Sequence, residues 1–173
     1  AGAAVALSME ERILMAHAQE PLEAPSLAIA PQKLQAGRVG NVSISRLICG
    51  GNLISGYAHS RDLTYVSDLL KHYFSDDKVM ETFRLCESNG INTAMLKFDQ
   101  DTVRILKKYW KEKGGKIQWI AQIVNPEIIP QDAERALDLG AIGVFTTGQM
   151  GDALVREGRV DLLAKAVETV HAR

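Results

Sequence analysis

Short apolar runs alternate along this chain with longer stretches in which large apolar residues return every three or four positions. Arg46 to Gly51, Ile91 to Leu96, Ile117 to Val124 and Ala141 to Thr146 are the short runs, and each reads as a strand. Leu47, Ile48 and Cys49 are continuously apolar, as a strand buried on both faces should be. Gly50 and Gly51 end that run and let the backbone bend or a ligand approach closely. A polar loop, 52–62, follows it. The stretch from Ser43 to Tyr57 is thus the one around which the other strand ends should gather.

The longer stretches read as helices. Leu63, Val66, Leu69, Leu70 and Tyr73 recur at helical spacing. Asp76 and Asp77 open the next helix at its positive end; Val79, Met80, Phe83 and Cys86 stripe it, and Asn89-Gly90 stops it. Asp101 to Lys113 carries Val103, Leu106 and Trp110 and closes on Gly114-Gly115. Pro130 to Leu139 ends at Gly140, Asp152 to Gly158 is short, and Arg159 to Ala172 carries Leu162, Leu163, Ala166, Val167 and Val170.

Upstream, residues 1–20 read as a helix, with Ser8 and Glu11 at capping-box spacing. Pro21, Pro25 and Pro31 mark residues 21–36 as a surface arm. Residues 1–36 therefore form a helix and Pro-containing arm, and 37–173 the main domain. Gly37 and Gly40 bracket a turn across which Val42 to Ile44 pairs as a hairpin.

Strand then helix, four times over, predicts an α/β fold with parallel strands and right-handed crossovers. A full (β/α)8 barrel takes about 250 residues, so four units make about half a TIM-type barrel. Four parallel strands leave two edges unpaired. A missing C-terminal half, a second copy of the chain, or a small open sheet would each answer that.

Composition narrows the partners. The 173 residues are 46% hydrophobic and 24% charged with a net charge of −1, so no field favours nucleic acid. No apolar run is long enough to span a membrane. Cys49 and Cys86 could form one disulfide, but each sits in an apolar run and they read first as two buried thiols; no cysteine or histidine cluster suggests a metal. The opening AGAAVALS fits the end of an export signal or a helix start, so the cytoplasm and export both stay open. No motif names a cofactor.

Parallel strands present ligands with their C-terminal ends. That rule selects His59, Lys97 and Asp99 as candidate acid/base groups, since an imidazole, an ammonium and a carboxylate can together move a proton. It selects Asn52, Arg61, Gln122, Asn125, Thr146, Thr147 and Gly148 as candidate ligand-binding residues. His59 stands in a loop with little packing reason to be there. The glycine-rich turn 140–148, ahead of a short helix near Gly151-Asp152, resembles the late strand of phosphate-binding barrels. The bland reading is that Lys97 and Asp99 form a solvated pair and that Asp152 is a cap.

Gly37-Arg38-Val39-Gly40, Val42 to Leu47, Cys49-Gly50-Gly51 and Glu87 to Asn92 resemble the N-terminal part of aldo/keto reductases. The resemblance implies a hairpin that plugs a barrel bottom and leads into the first strand. It also implies an aspartate, a tyrosine, a lysine and a histidine near successive strand ends. Gapless placement puts Met95, Gln100, Gln122 and Thr147 near those positions, so none is matched. The expectation is a reductase-like barrel that binds a small molecule at its strand ends without ordinary reductase chemistry. The alternatives are a non-catalytic binding or structural domain and a phosphate-ligand lyase or isomerase.

Overall fold

The computed structural model describes residues 34–57 and 63–172. The predicted helix and most of the arm in 1–36 lie outside them, as do His59 and Arg61. Two sheets are present among the described residues. The first is an antiparallel hairpin, β1 (Ala36–Val39) with β2 (Val42–Ser45), turning at Gly40 with φ +56. The second is parallel: β3 (Cys49–Gly50), β4 (Thr93–Lys97), β5 (Gln118–Ile123) and β6 (Ala141–Thr146), in the order β3-β4-β5-β6. Each new strand is added beside its predecessor, and the four expected runs are neighbours in one sheet.

Among the described residues, six helices lie between and after these strands: α1 (Tyr65–Tyr73), α2 (Asp76–Ser88), α3 (Gln100–Glu112), α4 (Ile129–Asp138), α5 (Gly148–Arg156) and α6 (Val160–His171). A 3-10 turn, Pro126–Ile128, leads into α4. Local chemistry sets their starts. The Ser75 hydroxyl accepts from Lys78 N at the head of α2, and Asp99 Oδ1 accepts from Thr102 N at the head of α3. Gly90, with φ +82, ends the turn after α2, where an L side chain would be strained.

Register separates the two faces of the parallel sheet. Cys49, Ala94 and Trp119 are level across three strands, as are Leu96, Ala121 and Val144. These point to the side where Val79, Phe83, Ile105, Leu106, Ile129 and Ala166 of the helices build the core. Trp119, fully buried, donates its indole N–H to Leu96 O at 3.1 Å. One residue along each strand, Gly50, Met95 and Ile120 are level with Gly143, and Lys97 and Gln122 with Phe145. None of these belongs to the buried core. Among the described residues, helices therefore cover one face of the sheet and leave the other bare.

The hairpin closes the N-terminal end of the bare face. Asn92 Oδ1 accepts from Ser45 N at 2.9 Å, and Asn92 Nδ2 donates to Ser43 O at 3.0 Å. Gln118 Nε2 donates to the same Ser43 carbonyl at 2.9 Å. Thr93, level with Gln118, is fully buried there and donates its hydroxyl to Asn92 Oδ1.

Several expectations need correction. The first strand is two residues long, and Leu47 and Ile48 before it are 54% and 40% exposed. The Ser45 hydroxyl donates to Leu47 O and turns the chain there, so the run reaches the sheet only at Cys49. The strands are buried on one face, not both. α1 forms as its periodicity predicts but buries none of its residues. The fifth helix begins at Gly148, not at Asp152, because Thr147 caps it.

Candidate functional site

The C-terminal ends of the parallel strands gather Lys97 and Asp99 after β4, Gln122 and Asn125 at the end of β5, Thr146, Thr147 and Gly148 after β6, and Asn52 after β3. Strand direction accounts for this, since all four strands end at one edge. Lys97 and Gln122 are level on the bare face. The backbone ties the two strand ends together: Phe98 N donates to Gln122 O at 2.9 Å.

Lys97 is the ammonium of this edge. Its Nζ lies 3.6 Å from Asp99 Oδ2 and 5.8 Å from the centre of the Tyr57 ring. Both side chains of the ion pair are about a third exposed or less. Tyr57 closes the turn that Asn52 opens, with Tyr57 N donating to Asn52 O at 2.7 Å. The aromatic face and the carboxylate together hold the lysine at the strand end. No sequence signal pointed to Tyr57 as its partner.

The other polar residues are committed to local structure in varying degree. Asp99 spends Oδ1 on the α3 cap and offers Oδ2 to Lys97. Asn125 Oδ1 accepts from Glu127 N at 3.0 Å and caps the 3-10 turn. Thr147 Oγ1 accepts from Met150 N at 3.2 Å and caps α5. Thr146 is level with Ile123 on the helix-covered face, and its hydroxyl donates to Met150 Sδ at 2.8 Å. Of the candidates, Lys97 and Gln122 face the open side of the sheet, while Asp99, Asn125 and Thr147 are caps and Thr146 turns inward.

The glycines divide as well. A Cβ on Gly50 or Gly148 would meet nothing within 4 Å, so space is open beside both. A Cβ on Gly51 would sit 2.6 Å from Met95 O. Gly51 is thus demanded by the approach of β4, where the sequence left ligand access as a second reason for it. Gly148 and Gly151 lie inside α5, and Asp152 follows a turn into it, so the expected anion-binding turn is a helix capped by its own threonine.

Two carboxylates with displaced pKa values lie near this edge: Asp76 lines a cavity with Asp99, and Glu127 follows Asn125. The Arg104 guanidinium beside Asp76 holds that carboxyl below the usual range, and Arg159 does the same for Glu127. Burial, then the Glu87 carboxylate that accepts its O–H, pushes the Tyr109 phenol up. Asp99 also lines a cavity of about 260 Å³ with Phe98, Val103, Asp132 and Arg135, between α3 and α4 on the helix side. Among the described residues, no group of three or more His, Cys, Asp or Glu side chains could hold a metal ion, and no helix is long and apolar enough to cross a membrane. No family model, curated protein or solved structure matches the chain.

Proposed function

We propose that the described domain is half of a (β/α)8-type barrel, related to the aldo/keto reductases, that binds a small molecule at the C-terminal ends of its strands. The observation that carries this is the bare face. Strands added in sequence, with the described helices on one side, give a sheet whose other side resembles the lining of a barrel. Met95, Ile120 and Phe145 supply apolar surface there, and Lys97 and Gln122 supply polar groups at its C-terminal edge. A few polar groups above an apolar floor is the usual composition of a small-molecule site. The hairpin at the opposite end, tied in by Asn92 and Gln118, supports the reductase resemblance.

The chemistry of the resembled family does not carry over. Carbonyl reduction needs a proton donor beside the hydride acceptor. Met95 and Gln122, near two of the family's four positions, cannot donate a proton at neutral pH, and Thr147 is engaged as a cap. Binding without reductase turnover is the expected behaviour. The test is a ligand screen by thermal shift, followed by Lys97→Ala and Gln122→Ala. A ligand whose stabilisation both variants weaken supports the site; a ligand indifferent to both removes it. Robust NADPH-dependent turnover of simple aldehydes would overturn the statement about chemistry. The non-catalytic reading is favoured by one observation: Asp99, the carboxylate nearest Lys97, is already used by Thr102 N and Lys97 itself.

A further inference from the structure

Asp132 is the one buried charged residue among the described residues. It sits in the first turn of α4, whose positive end favours a carboxylate. That accounts for an acid at this position but not for its burial, since a buried charge is costly unless it is well paired. Its partner is Arg135, three residues on, whose Nη1 lies 3.2 Å from Asp132 Oδ1. The arginine side chain is 67% exposed, so the pair is half in water and loosely held. Both residues line the cavity of about 260 Å³ between α3 and α4.

The rest of the cavity suits a cation with an apolar body. The Arg135 guanidinium lies 5.6 Å from the centre of the Phe98 ring. That ring packs on the buried Trp119 ring, centroids 6.1 Å apart, and the Phe98 N–H is held by Gln122 O. Val103 of α3, Leu139 after α4 and Ile128 of the 3-10 turn supply apolar walls. The volume falls just under the usual range of small-ligand pockets, about 300–1,000 Å³, so the occupant is small.

We propose that this cavity binds a small alkylguanidine, whose charged head takes the place of the Arg135 guanidinium against Asp132 and the Phe98 ring. Arg135 shows the geometry that the ligand copies. A planar guanidinium can pair with a carboxylate and stack on an aromatic face at once, which a compact ammonium does less well. The alkyl chain lies along Val103, Leu139 and Ile128. Arg135 is then an internal competitor, and its exposure lets it swing out into solvent. The site is on the helix-covered side of the sheet, apart from Lys97 and Gln122 on the bare face.

The test is calorimetric titration of the full chain with butylguanidinium at fixed ionic strength, with butylammonium and butanol for comparison. Saturable binding of butylguanidinium is expected, with weaker binding of butylammonium and none of butanol. Asp132→Asn should weaken it at least about 10-fold, and Phe98→Leu about 3-fold. Arg135→Ala should tighten it by about 3- to 10-fold, because more sites are then free of the internal cation. An Arg135 that only braces α4 would leave affinity unchanged or lower it. Lys97→Ala and Gln122→Ala should leave it unchanged; a loss of binding there would move the ligand to the strand ends and overturn the proposal. No saturable binding to Arg135→Ala, equal binding of butanol, or an affinity unaltered by Asp132→Asn would each overturn it as well. Should Asp132→Asn fail to fold, the Arg135→Ala comparison decides alone, since that side chain is at the surface.

Discussion

On one face of the parallel sheet, Ala94, Leu96, Trp119, Ala121 and Ile123 are almost fully buried under the helices. On the other, Met95, Lys97, Ile120 and Gln122 stand one residue along the same strands and are half-exposed. The backbone is shared, so the contrast comes from what covers each face. The covered face takes only apolar side chains from β4 and β5, because an unpaired polar group there would cost about 1–3 kcal/mol. The bare face accepts Lys97, Gln118 and Gln122 without that cost. Where it is closed, at the hairpin, its polar groups are all paired: Thr93, Gln118 and Asn92 bond to one another or to Ser43 and Ser45.

The sharpest way to break this contrast is a pair of neighbours. Trp119→Ala removes the largest fully buried side chain together with its bond to Leu96 O. It should cost about 3–5 kcal/mol in urea unfolding. Ile120→Ala, one position away on the bare face, should cost well under half as much, since the side chain is already partly in water. Equal losses would mean that something covers the bare face in solution.

Gly51 and Gly50 give a second pair. Gly51→Ala drives a Cβ toward Met95 O and should destabilise by about 1–3 kcal/mol. Gly50→Ala meets open space and should change stability by less than about 0.5 kcal/mol. At the closed end, Asn92→Ala strips Ser45 N of its partner and leaves Ser43 O and Thr93 Oγ1 only their bonds to Gln118. A loss of about 1–3 kcal/mol is expected there too. Hydrogen exchange at Ser45 N should rise with it.

Much of the architecture was legible because its signals are periodic. β6 spans Ala141–Thr146 as read from its apolar run, and α2 spans Asp76–Ser88 with the stripe and the Asn89-Gly90 stop that mark it. Leu47 and Ile48 were misleading for a physical reason. An apolar run has the same appearance whether it enters a sheet or crosses the surface, and only the turn at Ser45 decides. Gly148 and Gly151 hid the start of α5, since two glycines read as loop where Thr147 in fact begins a helix. The same limit applies at the strand ends. The rule of parallel strands put Lys97 and Gln122 at one edge, but it cannot separate a binding residue from an N-cap. Asp99, Asn125 and Thr147 are polar residues just past a strand, which is also where the next helix must be capped.

Lys97 and Asp99 sharpen that distinction with the smallest effects. Asp99→Ala removes the α3 cap and should cost about 1 kcal/mol, chiefly through Thr102 N. Lys97→Ala removes one half of a partly exposed ion pair and a ring contact and should cost less than about 0.5 kcal/mol. If the pair were mutually dependent, the double variant would cost about as much as the larger single change. Because Asp99 retains Thr102 N without the lysine, the two losses should instead add to within about 0.5 kcal/mol. A coupling larger than 1 kcal/mol in that double-mutant cycle would show that Lys97 is part of the scaffold. A near-zero coupling leaves Lys97 with little structural obligation, and its loss should then register in ligand binding and not in stability.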